Sequence, residues 1–125
     1  MNITGKTIPH ESQHYATVGD WRTDAAGLTA FTVSDMDNEL YERLVFLHEF
    51  VEQTLCLARG ISEESVTAFD VAYEAARTPE NLEEPGDDER APYRAEHCFA
   101  TGIERQFAAE CGVVWADYEK AVMSL

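Results

Sequence analysis

Residues 44–56, LVFLHEFVEQTLC, set the tightest limit on what this chain can fold into. Six of the eight residues from Leu44 to Val51 are apolar, and they do not share one face. At about 100° per residue, with Leu44 at zero, Val45 lies at about 100°, Phe46 at about 200° and Leu47 at about 300°. His48 then falls at about 40° and Glu52 at about 80°, both between Leu44 and Val45, while Glu49 falls between Val45 and Phe46. The helix has no clean polar face to hold these three groups. Burying an unpaired carboxylate costs several kcal/mol, so each must find a partner or hold a proton.

At 125 residues the chain has the length of one domain and can bury a core without disulfides or a metal. It reads as a single domain over 1–125, β-rich from 1 to 34 and helical from 35 to 125. Ile3–Ile8 is short and β-branched. His14–Trp21 and Leu28–Val33 flank RTDAAG, the pattern of a hairpin with a longish turn, and Gly19 in the first arm marks a bulge. Ser34 or Asp35 is expected to cap the first helix, with Leu40, Leu44, Leu47, Val51 and Leu55 as its stripe and Gly60 as its stop. Ser62 caps a second helix that turns Val66, Phe69, Tyr73 and Ala76 inward and ends at Thr78-Pro79. Residues 78–92, TPENLEEPGDDERAP, form a long acidic loop, either functional or a solvated linker. Pro92 opens a third helix that runs to about Cys111-Gly112, with Phe99, Ile103 and Phe107 repeating along it. VVWADYEKAV is a short fourth, whose Trp115 and Tyr118 either close the core or form a dimer contact. Strands first and helices after predict an α+β domain: an N-terminal β-hairpin or small antiparallel sheet followed by three to four packed helices.

His48 and Glu52 are one turn apart on the same side, the spacing by which a helix offers two ligands to one metal ion. Zinc accepts imidazole nitrogen and carboxylate oxygen. Glu49 is then placed to take a proton from a water at the metal. In this respect HEFVE resembles the H-E-x-x-H helix of the zincin metallopeptidases, with Glu52 where the second histidine stands. The order of elements is similar too, a hairpin whose edge strand could hold a peptide and then the active-site helix. The resemblance implies zinc as cofactor and a metal-dependent hydrolase or peptidase activity. It implies His48 and Glu52 as ligands, Glu49 as the catalytic base, and a third ligand from a downstream helix. His97 and Glu104, two turns apart on one side of the third helix, are the candidates, with Glu96 and Asp70 in reserve. Ala100 and Ala108 share that side and let another helix approach. The acidic loop is expected to cover or steer the site.

Each group also has a plain structural role open to it. His48 and Glu52 can satisfy one another as an i,i+4 pair, and His97 can be a hydrogen-bonded boundary histidine. Glu104 can join Arg105 and Arg94 in a surface ion network, and Asp70 can pair with Arg77 or Arg94. More distantly, Glu49-x-x-Glu52 followed by Asp70 is similar to the carboxylate set of the all-α MazG-type nucleotide pyrophosphohydrolases, which hold Mg²⁺. Thr67 stands where that pattern has a glutamate.

The formal net charge is −15, from 24 acidic and 9 basic residues. It argues against a nucleic-acid surface, which needs clustered Lys and Arg, and against an anionic membrane surface. A cation or a basic protein partner fits it better. Cys56, Cys98 and Cys111 make an odd count without a C-x-x-C pair, as expected of reduced thiols in a cytoplasm. The N-terminus lacks the apolar region of a signal peptide, and no apolar run approaches the ~20 residues that span a bilayer. Through TVGDW, LHEFVE, FDVAYEAAR, NLEEPGDDERAPYRAEHCFATGIER and WADYEKAV, the chain resembles a group of small uncharacterised proteins encoded by phages and prophages. That resemblance implies a host cytoplasm and brings no activity with it. Two functions are expected from different classes. One is a metal-dependent hydrolase with His48, Glu52 and His97 or Glu104 on the ion. The other is a non-catalytic acidic protein that occupies a basic surface of a host protein, with His48 and its neighbours structural.

Overall fold

In the computed structural model, which describes residues 1–125, three strands precede four helices. The strands are β1 (Ile3–Ile8), β2 (Gly19–Thr23) and β3 (Thr29–Ser34); the helices are α1 (Glu39–Arg59), α2 (Glu63–Ala75), α3 (Arg94–Glu110) and α4 (Trp115–Met123). The class is α+β. β2 and β3 form the antiparallel hairpin, closed by a turn in which Asp24 Oδ1 accepts from the amides of Ala26 and Leu28. β1 lies on the far side of β3 and runs parallel to it, so the sheet is mixed, with order β1-β3-β2. The segment between β1 and β2 passes over the Ser34 end of β3 and is fastened there. The buried Gln13 amide donates to the carbonyls of Val18 and Thr32, and its oxygen accepts from Thr32 Oγ1.

Gly19 is not a bulge, because the register runs unbroken from Gly19 opposite Val33 to Thr23 opposite Thr29. Gly19 supplies room instead. A Cβ there would stand 2.6 Å from Glu49 Cγ, so a side chain would force β2 away from α1 or displace Glu49.

α1 lies between two layers. On one side it packs on the sheet, where Trp21 and Phe31 face each other across β2 and β3 and Phe46 meets Phe31 edge-on, ring centroids 5.3 Å apart. On the other it packs on α3, the more extensive of its helix contacts. A helix enclosed in this way is apolar all round, which accounts for the composition of residues 44–56. Its start is Asn38 rather than Ser34 or Asp35. Asn38 Oδ1 accepts from the amides of Leu40 and Tyr41, whereas Ser34 is the last residue of β3 and Asp35 Oδ1 accepts from the Asp37 amide. Gly60, with φ of 69°, stops α1 as expected, and Ser62 caps α2.

The leucine stripe is not the most buried side of α1. Leu40 is exposed and Leu47, Val51 and Leu55 are half-buried; the buried side carries Leu44, Val45, His48, Glu52, Gln53 and Cys56. Two apolar clusters flank it. Leu44 and Val45 belong to one, with Val33, Ala108 and Tyr118; Cys56 belongs to the other, with Trp21, Phe31, Val66 and Tyr93. The turns of α1 between those anchors hold His48 and Glu52. Tyr118 of α4 closes the core, with Trp115 edge-on against it. No helix is long and apolar enough to cross a membrane.

Candidate metal centre

Ala100 and Ala108 of α3 are fully buried, and their small side chains let α1 and α3 approach closely. The approach brings His97 and Glu104 onto His48. His48 Nε2, Glu52 Oε2 and His97 Nδ1 form a nearly equilateral triangle: 3.2 Å from His48 to Glu52, 3.0 Å from Glu52 to His97, and 3.1 Å from His97 to His48. All three side chains are less than a tenth exposed.

What stands behind each ring fixes what it can do. His48 Nδ1 lies 2.9 Å from Glu104 Oε2, and a carboxylate only accepts, so Nδ1 carries the proton. In the neutral ring Nε2 then holds the lone pair, and it points into the triangle. A carboxylate behind a histidine is how metal-binding imidazoles are commonly oriented. Glu104 is itself held by Tyr118, whose hydroxyl donates to Oε1. Of the two candidates on α3, His97 therefore enters the triangle, whereas Glu104 stands behind His48, buried and away from any arginine network. His97 turns its other nitrogen toward the acidic loop. Its Nε2 is 3.2 Å from Glu84 Oε2 and 3.3 Å from Asp87 Oδ1. The 3₁₀ turn Pro85–Asp87 lies directly on the ring, and a Cβ on Gly86 would fall 2.3 Å from His97 Cγ.

Burial by itself would make both imidazoles less basic. Glu104 and Glu52 outweigh it at His48, and Asp87, Glu52 and Glu84 outweigh it at His97, so both rings are pushed well above the usual imidazole range. Burial would raise the Glu52 carboxyl, yet the two histidines dominate and hold it at about 2. With both rings charged, two N–H donors would face each other across the 3.1 Å edge. A divalent cation at the centre removes that conflict, because all three atoms then present lone pairs to it. Donors on one tetrahedral zinc at about 2.0–2.2 Å stand roughly 3.3 Å from each other, close to the edges of this triangle. Two imidazoles and one carboxylate are also a set that zinc uses where it keeps a fourth position open.

Glu49 turns from α1 toward β2, its carboxyl against Gly19. Burial and then the charge of Glu52 raise its pKa well above the carboxylate range. Glu49 and the triangle line one cavity of about 400 Å³, whose walls include Tyr15, Asp20, Asp70 and Tyr93. Glu96 is engaged by Arg59, outside the triangle.

Asp70 has no arginine. It accepts from the hydroxyls of Tyr15 and Tyr93. Burial lifts its pKa to about 6 against the pull of the two phenols. The folded value lies above the unfolded one of about 3.9, so between them the native state holds more protons and stability falls as pH rises from about 4 to about 6. Asp70→Asn is expected to flatten that slope. Urea midpoints measured across this window check it; a slope identical to that of the parent protein would show that Asp70 titrates normally.

Tyr15, Tyr118, Glu84, Asp87 and Gly86 are parts of the site that the sequence does not assign. The acidic loop is visible as a segment, but nothing in one sequence says which of its residues meet His97. Comparison with protein-family models, curated proteins and solved structures gives no match to this chain.

Proposed function

We propose that this chain is a metal-dependent hydrolase, zincin-like in its arrangement, in which His48, Glu52 and His97 hold zinc. The observation that carries the reading is the triangle of converging donors, with Glu104 fixing the proton of His48 on the far nitrogen. Zinc held there supplies Lewis acidity to a water and to a substrate carbonyl. The remaining work belongs to the chain. Glu49 is the base: it takes a proton from the attacking water and returns it to the leaving group, and burial makes its carboxylate more basic than an exposed one. Glu104 and Tyr118 keep the His48 ring from turning. The loop turn packs against the His97 ring and holds it in place.

The net charge of −15 supports the second reading, an acidic protein seated on a basic host surface, in which the triangle is only an internal ion network. Metal content separates the two. Untagged protein is expected to purify with stoichiometric zinc, and His48→Ala to lose one ion per chain while keeping its far-ultraviolet circular dichroism. Parent protein that takes up no zinc on dialysis contradicts the hydrolase reading.

A further inference from the structure

The loop side of His97 is unusual for a buried histidine. Its side chain is 5% exposed, and Nε2 is the one buried side-chain polar atom in the chain without a hydrogen bond. Two acceptors are close, Glu84 Oε2 at 3.2 Å and Asp87 Oδ1 at 3.3 Å, yet neither lies where the N–H points. A hydrogen bond wants its acceptor on the N–H axis. A metal wants the reverse: the ion sits on the lone-pair axis and the other donors stand to the side, roughly 3.3 Å from the nitrogen for zinc at about 2.0–2.2 Å. The two distances are those of co-ligands.

We infer that His97 Nε2, Glu84 and Asp87 form a second cation site, so that the two nitrogens of one imidazole serve two ions. Glu84 and Asp87 are about half exposed, which gives an ion entry from solvent without opening the core. The carboxylates are presented on an anchored turn. Arg77 donates to the carbonyls of Asn81 and Glu83, and Arg94 donates to that of Asp87. Gly86, between the two ligands, has no side chain to keep the turn off the ring. One imidazole with two carboxylates selects Zn²⁺, Cu²⁺ or Ni²⁺ over Mg²⁺ or Ca²⁺. When Nδ1 already holds an ion, the second displaces the Nε2 proton. That proton leaves to solvent, and the ring becomes an imidazolate bridge. The inference goes beyond the hydrolase reading and shares only His97 with it.

Metal-free protein dialysed against Zn²⁺ and measured by elemental analysis tests it. Two ions per chain are expected in the parent, one in Glu84→Gln/Asp87→Asn and one in Glu52→Gln. Loaded with Cu²⁺, the parent is expected to show a spin-resonance signal well below two spins, because bridged coppers couple, and the loop double variant one full spin. One zinc in the parent that the loop variant keeps and Glu52→Gln loses overturns the second site and leaves the triangle standing. One zinc lost only in the loop variant supports the loop site and overturns the triangle. Two zincs kept in the loop variant overturn the second site, and no zinc in the parent overturns both.

Discussion

Glu104→Ala is expected to lower the free energy of unfolding by about 3–5 kcal/mol, the cost of breaking a buried ionic network by removing one partner. Glu104 is 7% exposed and receives two donors, the Nδ1–H of His48 and the hydroxyl of Tyr118. Alanine leaves both donors buried without an acceptor and opens a void between α1, α3 and α4. Each unmet donor costs about 1–3 kcal/mol. Urea unfolding at neutral pH reads the effect as a lower midpoint at unchanged slope. A loss below about 1 kcal/mol is what a surface glutamate would give, and it would contradict the buried position. Glu104→Gln separates stability from metal binding. The amide keeps the volume but offers one acceptor where the carboxylate offers two. Zinc affinity is expected to fall by about 10- to 100-fold, the usual cost of disturbing the group behind a metal-bound histidine.

Glu49→Gln is expected to reduce hydrolysis by about 10²- to 10⁴-fold while the zinc content stays as it was. Glutamine has the shape of glutamate and cannot take a proton. Glu49 is also not part of the triangle, so its replacement leaves the three donors in place. Cleavage of a mixed peptide pool, followed by mass spectrometry alongside elemental analysis, checks both halves. Zinc lost together with activity would make Glu49 a ligand rather than the base, and full activity would remove it from the chemistry. Gly19→Ala reaches the same group from the sheet. Its added carbon meets Glu49 at 2.6 Å and displaces the carboxyl from its present position, so a smaller loss of rate is expected with zinc again retained.

The features legible in the sequence are those that depend on local geometry. Residues one turn apart on a helix stay one turn apart in any fold, so His48 and Glu52 meet as their spacing requires. Ala100 and Ala108 mark the side of α3 that α1 can approach, and that side carries His97 and Glu104. Gly60 and Ser62 end one helix and begin the next because left-handed backbone and a free amide each suit those residue types.

The features set by long-range packing were not legible. The spacing of leucines picks out a stripe on α1, yet α1 is enclosed on two sides, so apolar periodicity does not identify the face that matters. Asn38 caps α1 because β3 runs on through Ser34, which local propensity does not register. β1 pairs parallel to β3 through a crossover pinned by Gln13, a residue with no strand or turn signal of its own. Glu104 reads equally well as a ligand or as a surface ion. The packing of α3 on α1 places it behind His48, and Tyr118, from a third helix, holds it there.

Whether three atoms share one ion is tested most directly by diffraction on crystals grown with zinc, recorded on both sides of the zinc absorption edge. The expected result is an anomalous peak about 2.0–2.2 Å from each of His48 Nε2, Glu52 Oε2 and His97 Nδ1. No peak between those atoms, with His48 still bonded directly to Glu52, would contradict the metal centre.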